Sequence, residues 1–202
     1  MRLPSLWLRL CYCLVISSSS LVGGDALGDV LRGTGGMASV SAFSAQYKMQ
    51  KSNLVLVTAA LDHELRSRWA VRGLYFTTQQ STFSGYTLGV SYSSRPSRID
   101  NGALTHNGDR EVQTYPKWLF QGSAGVGIFR YFSTLQRAAP RIGQNPLASV
   151  DAQLYGVALG AGAQRFLSET YAIGIDAVNL SAIAAGFAVN SVSLSLSLNV
   201  YY

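Results

Sequence analysis

The chain has 202 residues, 48% of them hydrophobic and only 13% charged, about half the charged share of an ordinary globular protein. A water-soluble surface of this size needs more charge, whereas a wall facing lipid does not. The formal net charge of +6 is spread along the chain with no basic run and no aromatic–basic interleaving, which argues against nucleic acid as a partner.

The N-terminus has the layout of an export signal. Arg2 and Arg9 form a positive segment ahead of a short apolar core, Leu10 to Ile16, and small residues follow up to Ala26. That core is far shorter than the roughly 20 residues a spanning helix needs, so residues 1–26 read as a cleaved signal peptide. Both cysteines, Cys11 and Cys13, lie inside it. The mature chain would then hold no cysteine, and neither a disulfide framework nor a thiolate metal site is available. Cleavage also removes Arg2, Arg9 and Asp25, lowering the net charge by one. Residues 27–36, ending in Gly33-Thr34-Gly35-Gly36, read as a flexible lead-in.

From residue 37 onward the dominant pattern is period two, broken by turn residues, and it predicts an all-β chain. Strands are expected at 37–48, 53–62, 68–78, 83–93, 117–132, 150–164, 171–180 and 192–202. In 83–93, Tyr86, Leu88, Val90 and Tyr92 alternate with Gly85, Thr87, Gly89 and Ser91. In 117–132, Trp118, Phe120, Ala124, Val126 and Ile128 oppose Gln121, Ser123, Gly125 and Gly127. In 150–164, Tyr155, Val157, Leu159 and Ala161 oppose Gly156, Ala158, Gly160 and Gly162. A helix would have to tolerate glycine at every second position, each costing roughly 1 kcal/mol against alanine.

The final segment alternates most strictly. Val192, Leu194, Leu196, Leu198, Val200 and Tyr202 share one face, and Ser193, Ser195, Ser197 and Asn199 share the other. Alternation that runs to a terminal aromatic resembles the C-terminal strand of bacterial outer-membrane proteins. The size and pattern of the remainder are similar to the small eight-stranded barrels of that group, OmpA/OmpX-like in architecture. The resemblance implies a closed antiparallel transmembrane β-barrel over residues 37–202, located in the outer membrane. It also implies that Leu194, Leu196, Leu198, Val200 and Tyr202 form the signal read by the barrel-assembly machinery. The partners implied are outer-membrane lipids, including lipopolysaccharide, for a barrel expected to be a monomer with no cofactor.

If all eight strands are real and the last ends on the periplasmic side, residues 134–147 and 181–189 become surface loops, and 63–67 and 165–170 become short periplasmic turns. The long segment 94–116 then falls on the periplasmic side, unless one weak strand is miscounted. The lumen admits two readings: a narrow hydrated channel closed by the lead-in or a loop, or dense filling by Phe129, Tyr131 and Arg72. Asp176 lies opposite Tyr171, Ile173 and Ile175. A charge facing lipid is costly, so Asp176 is expected in the lumen, paired with Arg72 or Arg130.

Function is read as structural, surface-interacting or a small-solute pore, without catalysis. One alternative is a lipid A-modifying barrel enzyme using His63 or His106, the chain's two histidines. The other is a secreted β-sandwich or adhesin domain, in which the apolar strand faces would pack on a partner sheet.

Overall fold

The computed structural model describes residues 29–66, 68–94, 118–168 and 170–201. They form eight antiparallel strands: β1 (Asp29–Ser44), β2 (Gln50–Arg66), β3 (Trp69–Thr78), β4 (Phe83–Ser93), β5 (Trp118–Gln136), β6 (Leu147–Phe166), β7 (Tyr171–Ala184) and β8 (Phe187–Tyr201). Each pairs with its sequence neighbour, and β8 closes onto β1, so the sheet has no free edge. A single closed ring replaces the two packed sheets that a sandwich requires. The expected signal peptide, residues 1–26, lies outside the described residues, as do Tyr202, His106 and segment 95–117.

The lead-in reading of residues 27–36 is corrected from Asp29 onward. Residues 29–36 are the first half of β1, paired to His63 through Leu56 on one side and from Val30 to Tyr201 through Ser195 on the other. Glycine weakens an isolated strand, but β1 is ordered by ladders on both flanks. The expected loop 181–189 is also corrected. Strands β7 and β8 run to Ala184 and from Phe187, and the chain reverses at Ala185-Gly186, with Gly186 at φ +72°. Only glycine adopts that backbone cheaply, which makes so tight a reversal available here. Similarly, β5 and β6 stay paired out to Gln136 and Leu147, shortening the predicted 134–147 loop.

Register sets the geometry. Paired positions followed once round the ring from Tyr155 pass through Ile128, Tyr86, Tyr75, Ala59, Gly33, Leu198 and Ile173. They return to Arg165 of the same strand, ten residues along. With ~3.3 Å per residue and ~4.8 Å between strands, that stagger tilts the strands by about 40°. On β5 the outward positions from Trp118 to Ile128 then span about 25 Å along the barrel axis, the height of a hydrocarbon band.

The outer wall matches this band. Leu88, Val126, Leu159, Ile175, Leu194 and Leu196 are all more than half exposed. At the lower edge stand Trp69, Tyr92, Trp118 and Tyr171, with the Trp69 and Tyr92 rings 4.8 Å apart. Tyr155 stands at the upper edge, with Tyr86 and then Tyr75 facing out successively below it. Aromatic rings at both edges suit the interface between hydrocarbon and headgroups. No helix among the described residues is long and apolar enough to cross a membrane; the crossing elements are strands.

Eight strands bring Tyr201, the last described residue, back to the end at which Asp29 starts, and these two are the termini of the barrel. The β2–β3, β4–β5 and β6–β7 connections lie at that same end. The strand count therefore stands, and the long connection leaving Ser94 and re-entering at Trp118 opens at the end that holds the termini.

Candidate functional site

The inward face of every strand is set by the same parity that turns its apolar residues outward. Gly125, Gly127, Gly156, Gly160, Gly162, Ser193, Ser195 and Ser197 all lie on the inward parity of their strands, as the alternation predicts, and the three serines are buried. Small residues here leave room for larger ones from neighbouring strands, and three layers fill the space.

The layer toward the end away from the termini is apolar. Phe76, Phe83 and Phe129 stack with ring centroids 5.2–5.8 Å apart, surrounded by Leu56, Leu135, Leu154 and Leu180. Above them the Tyr131 ring lies 5.4 Å from Phe187. A strap closes the mouth. The β1–β2 loop crosses toward the opposite wall, where the Lys48 amide donates to the Gln136 carbonyl (2.9 Å) and the Ala138 amide donates to Gln46 (3.0 Å). Tyr47, bridged to Arg137, packs onto the apolar layer.

The second layer is polar and lies in the half nearer the termini. Arg32 donates to Asp176 at 2.9 Å, and its other terminal nitrogen stands 3.7 Å from Asp62 and bonds to Gln121. Arg72 forms a two-point pair with Asp62, at 2.6 and 2.7 Å. The Ser91 hydroxyl donates to Asp62 at 3.5 Å. Gln164 donates to Gln121 at 3.1 Å, and the Tyr201 hydroxyl donates to Gln164 at 2.6 Å. The cluster takes one side chain from each strand in turn: Arg32, Asp62, Arg72, Ser91, Gln121, Gln164, Asp176 and Tyr201. Its two cations and two anions balance. That neutrality is what allows four ionised groups to sit out of water. A further apolar layer of Val30, Leu119, Phe166, Ala172 and Tyr201 lies beneath.

Between the layers is a cavity of about 40 Å³, lined by Arg32, Thr58, Arg72, Ser123 and Asp176 among others. It is water-sized and is not a passage. Of the two lumen readings, dense filling describes the interior, with Phe129, Tyr131 and Arg72 all directed inward.

The predicted lumen charges divide. Asp176 is buried inside, but its partner is Arg32 rather than Arg72 or Arg130. Arg72 is inside and pairs with Asp62. Arg130 is a correction: it shares parity with Val126, Ile128 and Phe132, so it projects from the outer wall, where it pairs with Asp151 at 2.6 and 2.8 Å. That pair lies beyond the apolar band, where charge is hydrated. Its hydrogen bonds hold the Asp151 carboxyl below the ordinary aspartate range.

Arg32 and Asp62 escape a sequence reading for identifiable reasons. Arg32 lies in a glycine-rich stretch whose composition alone reads as flexible, and Asp62 is followed by His63-Glu64, polar residues that read as a solvated turn. Continuing the β2 alternation two residues past Ala60 would have put Asp62 inside. The same parity turns His63 outward with Leu61 and Leu65, away from the polar cluster. Of the C-terminal face, Leu194, Leu196 and Leu198 are exposed on the outer wall and Val200 is partly so.

No known family profile matches the sequence, and no curated protein matches it. Solved structures do. The outer membrane protein OprG from Pseudomonas aeruginosa superposes with a TM-score of 0.52 at 13% identity, over 89% of this chain and 98% of that one. The outer membrane protease OmpT from Escherichia coli gives a TM-score of 0.52 at 7% identity, over 91% and 100%. At these identities the likeness is one of fold. The chain has the closed-barrel architecture of the small outer-membrane proteins, with no narrower subfamily distinguished.

Proposed function

We propose that this chain is an integral protein of a bacterial outer membrane. Residues 1–26 direct export and are removed, and strands β1 to β8 form the barrel. The start of β1 and the finish of β8 face the periplasm, and the strapped end faces outward. The observation that carries this reading is the pairing of an apolar outer band about 25 Å tall with a filled, charge-balanced interior. A soluble barrel would reverse that order. The outward row Leu194, Leu196, Leu198 and Val200, followed in sequence by the aromatic Tyr202, supplies the apolar strand that the assembly machinery reads.

The barrel acts as a sealed wall protein in envelope integrity or surface interaction, and not as a pore. The apolar plug, the strap and the cross-linked polar layer support this, since each blocks the axis at a different height. The reading is non-enzymatic. OmpT is by its name a protease, but the likeness to it is architectural, and His63 here stands on the outer wall away from the polar cluster. Acting as a monomer, the protein would take lipids as its immediate surroundings.

The deciding experiment is heat-modifiable gel mobility of protein from purified outer membranes, joined to planar-bilayer recording. A compact unboiled band that shifts on boiling, with a silent bilayer, is expected. Recovery in the soluble fraction with one unshifted band would overturn membrane insertion. Steady single-channel openings would overturn the sealed wall alone.

A further inference from the structure

Residues 138–146 join the tops of β5 and β6 and are all exposed, with Ile142 at their middle fully so. They stand at the strapped end, beyond the last pair of the β5–β6 ladder, Gln136 with Leu147. The segment begins Ala138-Ala139-Pro140-Arg141-Ile142-Gly143. Proline fixes its own φ and holds the residue before it extended, so the run leading to Arg141 is biased toward an extended shape. Past Arg141 the chain turns, with Gly143 at φ +83°. Two exposed hydrogen bonds close that turn: the Gln144 amide donates to the Arg141 carbonyl at 3.0 Å, and the Arg141 amide donates to the Gln144 side chain at 3.3 Å.

Arg137, four residues earlier, is held on both sides. Its amide donates to the Pro146 carbonyl at 2.8 Å, and it is bridged to Tyr47 of the strap. The next amide, Ala138, donates to Gln46, and the Arg137 Nε is buried. Lys48 in the strap is exposed, but its amide is bonded to Gln136. A serine protease draws its substrate into the cleft as an added extended strand and seats one side chain in a specificity pocket. Arg141 reaches such a cleft once a single turn opens. Arg137 and Lys48 reach it only if the strap comes away.

We propose that the Arg141–Ile142 bond is a processing site for a serine protease of trypsin-like arginine specificity acting at the cell surface. Pro140 and the two alanines put neither charge nor bulk beside the arginine. Water is the co-reactant. The C–N bond breaks, the water oxygen goes to the Arg141 carbonyl carbon as a carboxylate, and the Ile142 nitrogen leaves as an ammonium. Both new ends are charged and stay in water. The nick leaves the wall closed, because β5 and β6 remain paired from Gln136–Leu147 down to Trp118–Arg165. The strap also keeps its bonds, since Gln136 and Ala138 lie ahead of the cut. Access from outside the cell rests on the orientation proposed above.

The test is limited trypsin digestion of the purified barrel in nanodiscs, and of intact cells that carry it, with cut sites read by mass spectrometry. In nanodiscs, cleavage after Arg141 should run about tenfold or more ahead of cleavage after Arg137 or Lys48, because cutting a bonded segment waits on local opening. The nicked sample should keep its compact band unboiled and release a fragment beginning at Ile142 on boiling. Arg141→Gln should abolish that fragment, and Arg137→Gln should leave it. Cleavage after Arg137 or Lys48 as fast as after Arg141 would overturn the site. So would an intact Arg141–Ile142 bond under conditions that cut it in the unfolded chain. Loss of the compact band on nicking would overturn the closed nicked wall. The same fragment should form on intact cells. A cut in nanodiscs with protection on cells would overturn the outward orientation of the strapped end, and the surface role of the site with it.

Discussion

Arg32 and Asp176 lie 144 residues apart in sequence and meet at 2.9 Å inside the barrel, one on β1 and the other on β7. Arg32 also stands 3.7 Å from Asp62 on the neighbouring strand β2, a contact that the β1–β2 hairpin alone can make. The contact with Asp176 exists only once β8 has closed the ring between them, so that ion pair is made by closure and in turn holds it.

Removing one member should therefore cost more than removing both. Asp176→Leu leaves Arg32 buried beside Arg72 with only Asp62 to share. Breaking a buried pair in this way typically costs about 3–5 kcal/mol. Arg32→Met/Asp176→Leu should recover most of that loss. Urea unfolding in lipid vesicles, followed by tryptophan fluorescence, measures both. A single variant as stable as the wild type would remove the structural role of the pair.

Glycine at 162 has a specific reason. A Cβ placed there would stand 2.2 Å from the Asp176 carboxylate oxygen. Gly162→Ala should push the carboxylate off Arg32 and destabilise by about 1–3 kcal/mol. Gly33 faces out, and a Cβ added to it would meet nothing within 4 Å, so Gly33→Ala should change stability little. If the two substitutions behave alike in the same assay, the packing argument at 162 fails.

Leu196 faces out near mid-height of the apolar band and is 69% exposed. In a bilayer, Leu196→Arg should cost about 2–4 kcal/mol, the depth-dependent penalty for a cation near the midplane. In detergent-free water a soluble protein would gain from the same change. Unfolding free energies in vesicles, compared for Leu196→Arg and Leu196→Ala, give the sign directly.

The Arg130–Asp151 pair sits on exposed wall, and its effect should be read at the titration itself. The Asp151 carboxyl should titrate below the ordinary aspartate range because Arg130 bonds to its charged form. A depressed carboxyl stabilises the fold above its unfolded pKa, and that contribution is lost as pH falls through the folded value. Arg130→Gln should return the titration to the ordinary range. Carbon-detected NMR of the carboxyl group, in wild type and variant, distinguishes the two.

Much of this architecture is legible from period two alone. The 83–93 strand coincides with β4, and the inward glycines and serines of β5, β6 and β8 take the side that alternation assigns. Misreadings cluster where local composition competes with the ladder. Gly33-Thr34-Gly35-Gly36 looks flexible by itself and becomes strand because two neighbours pair with it. Arg130 follows the alternation of β5 outward, so its position in the strand, and not the charge of Asp176, decides its side.

By itself the sequence determined which residues meet lipid and which meet the interior, because side-chain direction in a strand depends only on odd or even position. It pointed to eight crossings, a count that only closure of β8 onto β1 settled, and with it the common end of the barrel's termini. Tertiary structure alone decided which inward charges meet, that Gln121 and Gln164 join them, and that a loop from β1–β2 seals the mouth. Those outcomes depend on the ten-residue stagger of a closed ring, a property of how eight strands register together that no single strand encodes.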